Sequence, residues 1–301
     1  MLIRHRFVPF VSVFLSICVA SCGGAAATPK ANSISSGVQH GSLTVGVFKR
    51  TYRLYIPPSL DLKHPAPLVV DLHGCLPGAN GDGMASVTHF DDEATTGGFV
   101  VVYPDGLYDC WNAGICCTNA DDVGFISRLL DRLVKDLPIN QSRVFATGVS
   151  GGGFMSYRLA CELSTRFAAI ASVAGLMLFN GCQPARPVSI LEMHGTNDLN
   201  VPYDGGVPPN APPNVPPAPS VIAVVQQWTA LDGCVGDPMQ SQTGITKTSV
   251  WKGCKSGAIV RLDTVVGGHH TWFGSSFDPV PGEPNANAVI WDFFSSLQPT
   301  G

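Results

Sequence analysis

Short, uninterrupted apolar runs that end in turn residues recur along this chain. "PLVVDLHG" and "GFVVVYPDG" are of this kind, and "RVFATGV", "FAAIASVAG", "VSILEMHG" and "AIVRLDTVVGG" also read as strands. Runs of this length with no polar alternation suit strands buried on both faces, as in a parallel sheet. Helical stretches separate them. "MASVTHFDDEATTGG" ends in a glycine pair and predicts one helix. "DDVGFISRLLDRLVKDLP" sets Val123, Ile126, Leu130, Leu133 and Leu137 on one helical face, with Asp121 or Asp122 as cap and Pro138 after the end. Helices are also expected from about Gly152 to Leu163, in "SVIAVVQQWTALDG" and in "NANAVIWDFFSSL". At the start, "LTVGVFKRTYRLYIP" reads as a hairpin turning at Lys49–Arg50. Strands alternating with helices give the fold class: α/β, a mostly parallel central sheet with helices on both faces. Ligands in such sheets bind beyond the carboxyl ends of the strands, so the chemistry belongs in the residues that follow them.

Two segments fall outside this alternation. Arg4 and Arg6 precede an apolar run from Phe7 to Ala20 that is short for a membrane span and ends in "VASC". This reads as a lipoprotein-type signal peptide over 1–21, with lipid on Cys22 and a tether over 22–40. An ordinary signal peptide cut near Ala25 to Ala27 is the alternative. Either way the chain is exported, to the cell envelope or beyond, and 41–301 is left as one large domain. The second segment, "VPYDGGVPPNAPPNVPPAPS", holds eight prolines. It cannot continue a helix or a central strand, and reads as a Pro-rich insertion at about 205–220.

Composition narrows the function. The formal net charge is −4 and only 13% of residues are charged, so there is no basic footprint for nucleic acid. Ten cysteines suit an oxidising compartment. The only close pair is Cys116–Cys117, without zinc-type spacing, so no metal is expected. No cofactor motif stands out either.

The chemistry gathers at strand ends. "VFATGVSGGGFMSYRLA" places Ser150 between a strand and a helix, in a G-x-S-x-G setting. Gly148 and Gly152 would let strand and helix approach, and the Gly151 amide at the helix start is an oxyanion donor. A serine needs a base. "VVGGHHTWFG" offers His269 and His270 behind the last strand. The base needs an orienting carboxylate, and "LEMHGTNDLNVPYD" offers Asp198, with Asp204 already entering the Pro-rich loop. "DLHGCLPG" supplies a second oxyanion amide at Cys75. Trp111 and Trp272, close to these motifs, are candidates to stack on a sugar or an aromatic acid.

With these residues in hand, the chain resembles the secreted serine esterases of carbohydrate esterase family 1, which include polyhydroxybutyrate depolymerases and feruloyl esterases. "RTYRLYIP", "VDLHGC", "FVVVYPDG", "CWNAGICC", "DDVGFI", "ATGVSGGGFMSYRLACE", "HGTNDLNVPYDGG" and "GGHHTW" carry the resemblance over about Thr51 to Phe273. It implies an α/β-hydrolase fold and hydrolysis of carboxylic esters by Ser150, Asp198 and His270. The usual string at the base is G-G-G-H-T-W. His269 stands where the third Gly is expected, so His270 is the match and His269 the runner-up. The implied substrate is a feruloyl or acetyl ester of polysaccharide, or a hydroxybutyrate polyester. Acyl transfer by the same triad and a non-catalytic surface lipoprotein are the alternatives. Beside the resemblance we pair Cys234 with Cys254 and Cys161 with Cys182. Cys75, Cys110, Cys116 and Cys117 are left to bridge among themselves, the adjacent Cys116 and Cys117 pairing outward.

Overall fold

The computed structural model describes residues 35–114, 118–209, 211 and 214–298. The expected signal segment, lipidated Cys22, most of the tether, and Cys116 and Cys117 themselves lie outside the described residues. Among the described residues, no helix is long and apolar enough to cross a membrane.

Among the described residues, ten strands form one sheet. In chain order they are β1 (Gly37–Val45), β2 (Phe48–Ile56), β3 (Ala66–Leu72), β4 (Val100–Pro104), β5 (Ile139–Val149), β6 (Ala169–Val173), β7 (Ser189–Gly195), β8 (Met239–Thr243), β9 (Thr246–Trp251) and β10 (Val260–Val265). Their spatial order is β1-β2-β4-β3-β5-β6-β7-β10-β9-β8. The six central strands from β4 to β10 run parallel, and antiparallel hairpins close both edges. All five residues of β4 and of β6 and all seven of β7 are buried, which is why these segments are mainly apolar, with Glu192 and His194 as charged exceptions on β7.

Helices cover both faces. α3 (Asp122–Asp136), α4 (Gly151–Glu162) and α5 (Val221–Leu231) pack on one, and α1 (Gly81–Thr88), α2 (Phe90–Gly97) and α6 (Ala286–Ser296) on the other. Asp121 caps α3, its side chain accepting from Gly124 N at 2.9 Å. The buried stripe of α3 is Phe125, Ile126, Leu129, Leu130 and Leu133. Val123, expected on that face, is only partly buried. Each fully buried leucine contributes about 1.5–3 kcal/mol of transfer free energy.

Four sequence expectations need correcting. The first hairpin turns at Gly46–Val47, where Gly46 takes a φ of 59°. Lys49 and Arg50 lie inside β2. Arg50 is buried and its Nη2 donates to Asp122 Oδ1 at 2.6 Å and to the Asp105 carbonyl at 3.0 Å, with its guanidinium over the Phe125 ring. The stretch read as one helix is two, broken where His89 adopts a left-handed φ of 51°. The β8–β9 hairpin was not anticipated, since every residue of β8 is exposed and none repeats an apolar pattern. Finally, β1 begins at Gly37, inside the stretch read as tether.

Candidate active site

The parallel strands bring their carboxyl ends to one edge, and the loops leaving β3, β5, β7 and β10 meet there. Ser150 follows β5 directly and precedes α4. Its backbone is held at φ 54°, ψ −117°, a region that non-glycine residues rarely occupy. Such a conformation persists only where the surroundings enforce it. Ser150 N donates to the Val173 carbonyl at the end of β6 at 2.9 Å, and Phe154 N donates to the Ser150 carbonyl at 2.9 Å. The turn is possible because strand and helix nearly touch. A Cβ on Gly148 would lie 2.6 Å from Leu72 O and 2.7 Å from Gly152 C, and one on Gly152 would strike Leu72 O.

Beyond β7, Asp198 is buried at 3% exposure. Its Oδ1 accepts from the N–H groups of Asn200 at 2.8 Å and Val201 at 2.7 Å. Its Oδ2 lies 2.7 Å from His270 Nδ1. Burial alone would raise this carboxyl, yet hydrogen bonds from His194, His270 and Val201 N hold it well below the usual carboxylate range. Asp198 is therefore an anion, and His270 Nδ1 is the donor. His269, the other candidate, faces Asp278 instead, with Nδ1 3.1 Å from Asp278 Oδ2. Among the described residues no hydrogen bond joins Ser150 Oγ to His270. Such contacts commonly tighten only once substrate is bound.

The loop after β3 carries the second amide. A Cβ on Gly151 would lie 3.3 Å from Cys75 N, so the two N–H groups are neighbours beside Ser150. Neither donates to a protein acceptor among the described residues. This loop is fastened to the segment after β4 at several points. Cys75 is disulfide-bonded to Cys110, which corrects the sequence expectation: neither is left to take an outward bond from Cys116 or Cys117. Gly106 N donates to His73 Nε2 at 2.9 Å, and His73 Nδ1 faces the Gly74 carbonyl at 2.8 Å, which fixes the neutral Nδ1–H tautomer. Burial, which lowers the pKa of His73, agrees with that neutral state. Gly78 N donates to Asp109 Oδ2 at 2.9 Å. Elsewhere Cys161 is bridged to Cys182 and Cys234 to Cys254.

Two expected substrate contacts are misplaced. Trp111 is fully buried, with Nε1 donating to the His73 carbonyl at 2.9 Å. Trp272 is 2% exposed, with Nε1 donating to Asn287 Oδ1 at 2.8 Å. Both hold loops in place and offer no face to a ligand. Exposed apolar residues close in sequence to the site residues are Leu76 next to Cys75, Tyr108 two residues from Cys110, Leu199 next to Asp198, and Phe277. The Phe277 carbonyl accepts from Thr271, next to His270.

Sequence reasoning also passed over Glu192 and His194 on β7. Both are fully buried, on the face of β7 that packs against α4. The signal was there: an acid and a histidine two apart in an otherwise apolar strand must share one face and one partner network.

Comparison with known proteins places the chain among esterases. Residues 50–216 match the family model described as "Esterase PHB depolymerase". The chain is 32% identical over 214 residues to "Feruloyl esterase B" of Piromyces equi, covering 68% of this chain and 39% of that protein. It is 31% identical over 281 residues to "Feruloyl esterase C" of Emericella nidulans, covering 88% of this chain and 91% of that protein. In fold it resembles the structure titled "Acetyl xylan esterase from Aspergillus awamori", with a TM-score of 0.62, 17% identity, and coverage of 85% of this chain and 99% of that one.

Proposed function

This chain belongs to the esterase PHB depolymerase family and is a carboxylic ester hydrolase; we propose that it cleaves feruloyl and acetyl esters of polysaccharide through an acyl-enzyme on Ser150. The observation that carries this reading is the 2.7 Å contact of His270 Nδ1 with the buried Asp198 carboxylate, on the sheet edge that also presents Ser150. With its proton on Nδ1, His270 keeps Nε2 free as a base. His270 takes the Ser150 proton, Ser150 Oγ attacks the ester carbonyl, and the amides of Cys75 and Gly151 receive the oxyanion. His270 then protonates the leaving alcohol. Water, deprotonated by His270, releases the acid.

The substrate class rests on two supports. The feruloyl esterases it resembles are so named, and Leu76, Tyr108, Leu199 and Phe277 offer apolar surface in the loops around Ser150. Neither acyl transfer nor a non-catalytic surface role is favoured by these relatives. The disulfides agree with an extracellular protein. The finer placement, a lipid anchor on Cys22, rests on "VASC" alone and is tested by fatty-acid labelling of wild type against Cys22→Ser.

Turnover of methyl ferulate, acetylated xylan and hydroxybutyrate oligomers tests the function. Methyl ferulate should give the highest kcat/KM, and Ser150→Ala should abolish turnover of all three. Preference for the hydroxybutyrate oligomers would overturn the substrate class. Undiminished turnover by Ser150→Ala would overturn the mechanism.

A further inference from the structure

The triad acid is itself held from behind. His194 Nε2 lies 2.9 Å from the Val201 carbonyl and 3.4 Å from Asp198 Oδ2. A carbonyl only accepts, so Nε2 carries a proton. On the other side of the ring, Nδ1 lies 2.8 Å from Glu192 Oε1, and Glu192 Oε2 accepts from the Tyr157 hydroxyl on α4 at 3.1 Å. Glu192, His194 and Tyr157 are each fully excluded from solvent. Two buried ionisable side chains beside the triad are costly unless paired, and here each has its partner.

We propose that Glu192 and His194 are a positioning pair for Asp198: Glu192 orients the His194 ring, whose Nε2–H faces the Asp198 carboxylate and ties down the loop that carries it. This rests on the assignment of Asp198 and His270 to the triad. The loop is a closed circuit. Val201 N donates to Asp198 Oδ1, while the Val201 carbonyl accepts from His194. The turn from Gly195 to Val201 is thus pinned at both ends, and Asp198 can face only one way. The donor also shares Asp198 Oδ2 with His270, so it draws on the negative charge that stabilises the His270 imidazolium. His194 therefore moderates the basicity of His270 as well as placing its partner.

The ionisable groups around His194 are few. Glu192 lies on its own strand, Asp198 and behind it His270 at the loop, Tyr157 on α4, and Tyr203 from the Pro-rich segment, with ring centroids 6.1 Å apart. The Tyr203 hydroxyl is engaged with Thr264 Oγ1 at 2.7 Å. Burial works against a charge on His194, but Asp198 and Glu192 outweigh it and raise its pKa to about 9. The arrangement thus persists through neutral pH.

The test uses the full chain. In histidine 15N-labelled wild type, assigned with His194→Gln, Nε2 of His194 should keep its proton from pH 5 to 8. A bare Nε2 at pH 7 overturns the proposal. The double variant His194→Leu/Glu192→Met removes the pair without stranding a charge. Its kcat should fall about tenfold or more, with KM within about twofold of wild type. The acid limb of its pH profile should move up by about half a unit, since the competing donor is gone. An unmoved acid limb overturns the proposal even if kcat falls, because a loosened loop alone would lower kcat without changing the basicity of His270. If the variant does not fold, the wild-type spectrum decides. Turnover by Ser150→Ala would sink the triad itself while leaving the His194 spectrum unchanged, so the two failures are separable.

Discussion

Gly151 lies directly against Cys75: a Cβ on the glycine would run into the cysteine sulfur, and its distance to Cys75 N would be 3.3 Å. Two amides, one in the loop after β3 and one at the start of α4, neither with a protein acceptor among the described residues, are brought together by the absence of one methyl group. Gly151→Ala should therefore push the Cys75 loop away and open the oxyanion site. Loss of one such donor costs about 10²–10³ in rate. We expect kcat on p-nitrophenyl acetate to fall about 100-fold with KM little changed. A loss below about threefold would show that Cys75 N takes no part.

The Cys75–Cys110 bridge should hold that loop under strain from substrate. The bridge closes a sequence separation of 35 residues, for which chain entropy predicts about 3–4 kcal/mol of stabilisation. Replacing both cysteines by alanine should lower the thermal midpoint. It should also lower kcat/KM by more than unfolding explains, because the loop is then held by single hydrogen bonds such as Gly106 N to His73 Nε2, Trp111 Nε1 to the His73 carbonyl and Gly78 N to Asp109. Kinetics at 15 °C, where the variant is folded, read the second effect. An unchanged kcat/KM there would mean that the hydrogen bonds suffice.

The legible parts of this protein are those whose cause is local. Ser150, Asp198 and His270 each stand just past an apolar run, and the glycines beside them announce a turn. What was missed depends on the far side of the sheet. The exposure of Trp111 could not be read from its place in "CWNAG", because a carbonyl 38 residues away takes up its N–H. The break at His89 leaves little mark, since histidine, though among the non-glycine residues that enter the left-handed region more readily, usually lies outside it. The polar β8 pairs with β9 through backbone alone, which no side-chain pattern records. The buried Arg50 was mistaken for a turn residue because its partner, Asp122, lies 72 positions on.

Stability should be greatest in mildly acid solution and decline towards pH 9. His194 has a folded pKa of about 9, above the unfolded value of about 6.5. Its contribution is complete below about 6.5 and is lost as pH rises through 9, an effect on the order of 3 kcal/mol. Asp232, raised by burial to about 7 despite the Val188 N–H that it accepts at 3.1 Å, acts with the same sign between about pH 4 and 7. Asp198 acts oppositely: its depressed pKa gives stability above the ordinary carboxylate range that is lost as pH falls. Urea midpoints at pH 5, 7 and 9 should fall in that order. His194→Leu/Glu192→Met should flatten the upper limb, and a midpoint that rises from pH 5 to 9 would contradict the assignment.

The backbone at Ser150 makes the last prediction. At φ 54° a residue with a Cβ is strained, at a cost of order 1–3 kcal/mol. Glycine occupies such regions freely, although its looser unfolded chain takes back about 0.5–1 kcal/mol. Ser150→Ala keeps the Cβ and so the strain, whereas Ser150→Gly releases it. Both variants should lack turnover. Ser150→Gly should nonetheless be more stable than Ser150→Ala by about 1 kcal/mol, visible as a higher urea midpoint with the same slope. Substituting Ala for Gly at an unstrained position would give the reverse order, so the sign alone is diagnostic. If Ser150→Ala is the more stable of the two, the turn carries no strain, and the position of the hydroxyl must be set by the contacts of α4 with β3 and β5 instead.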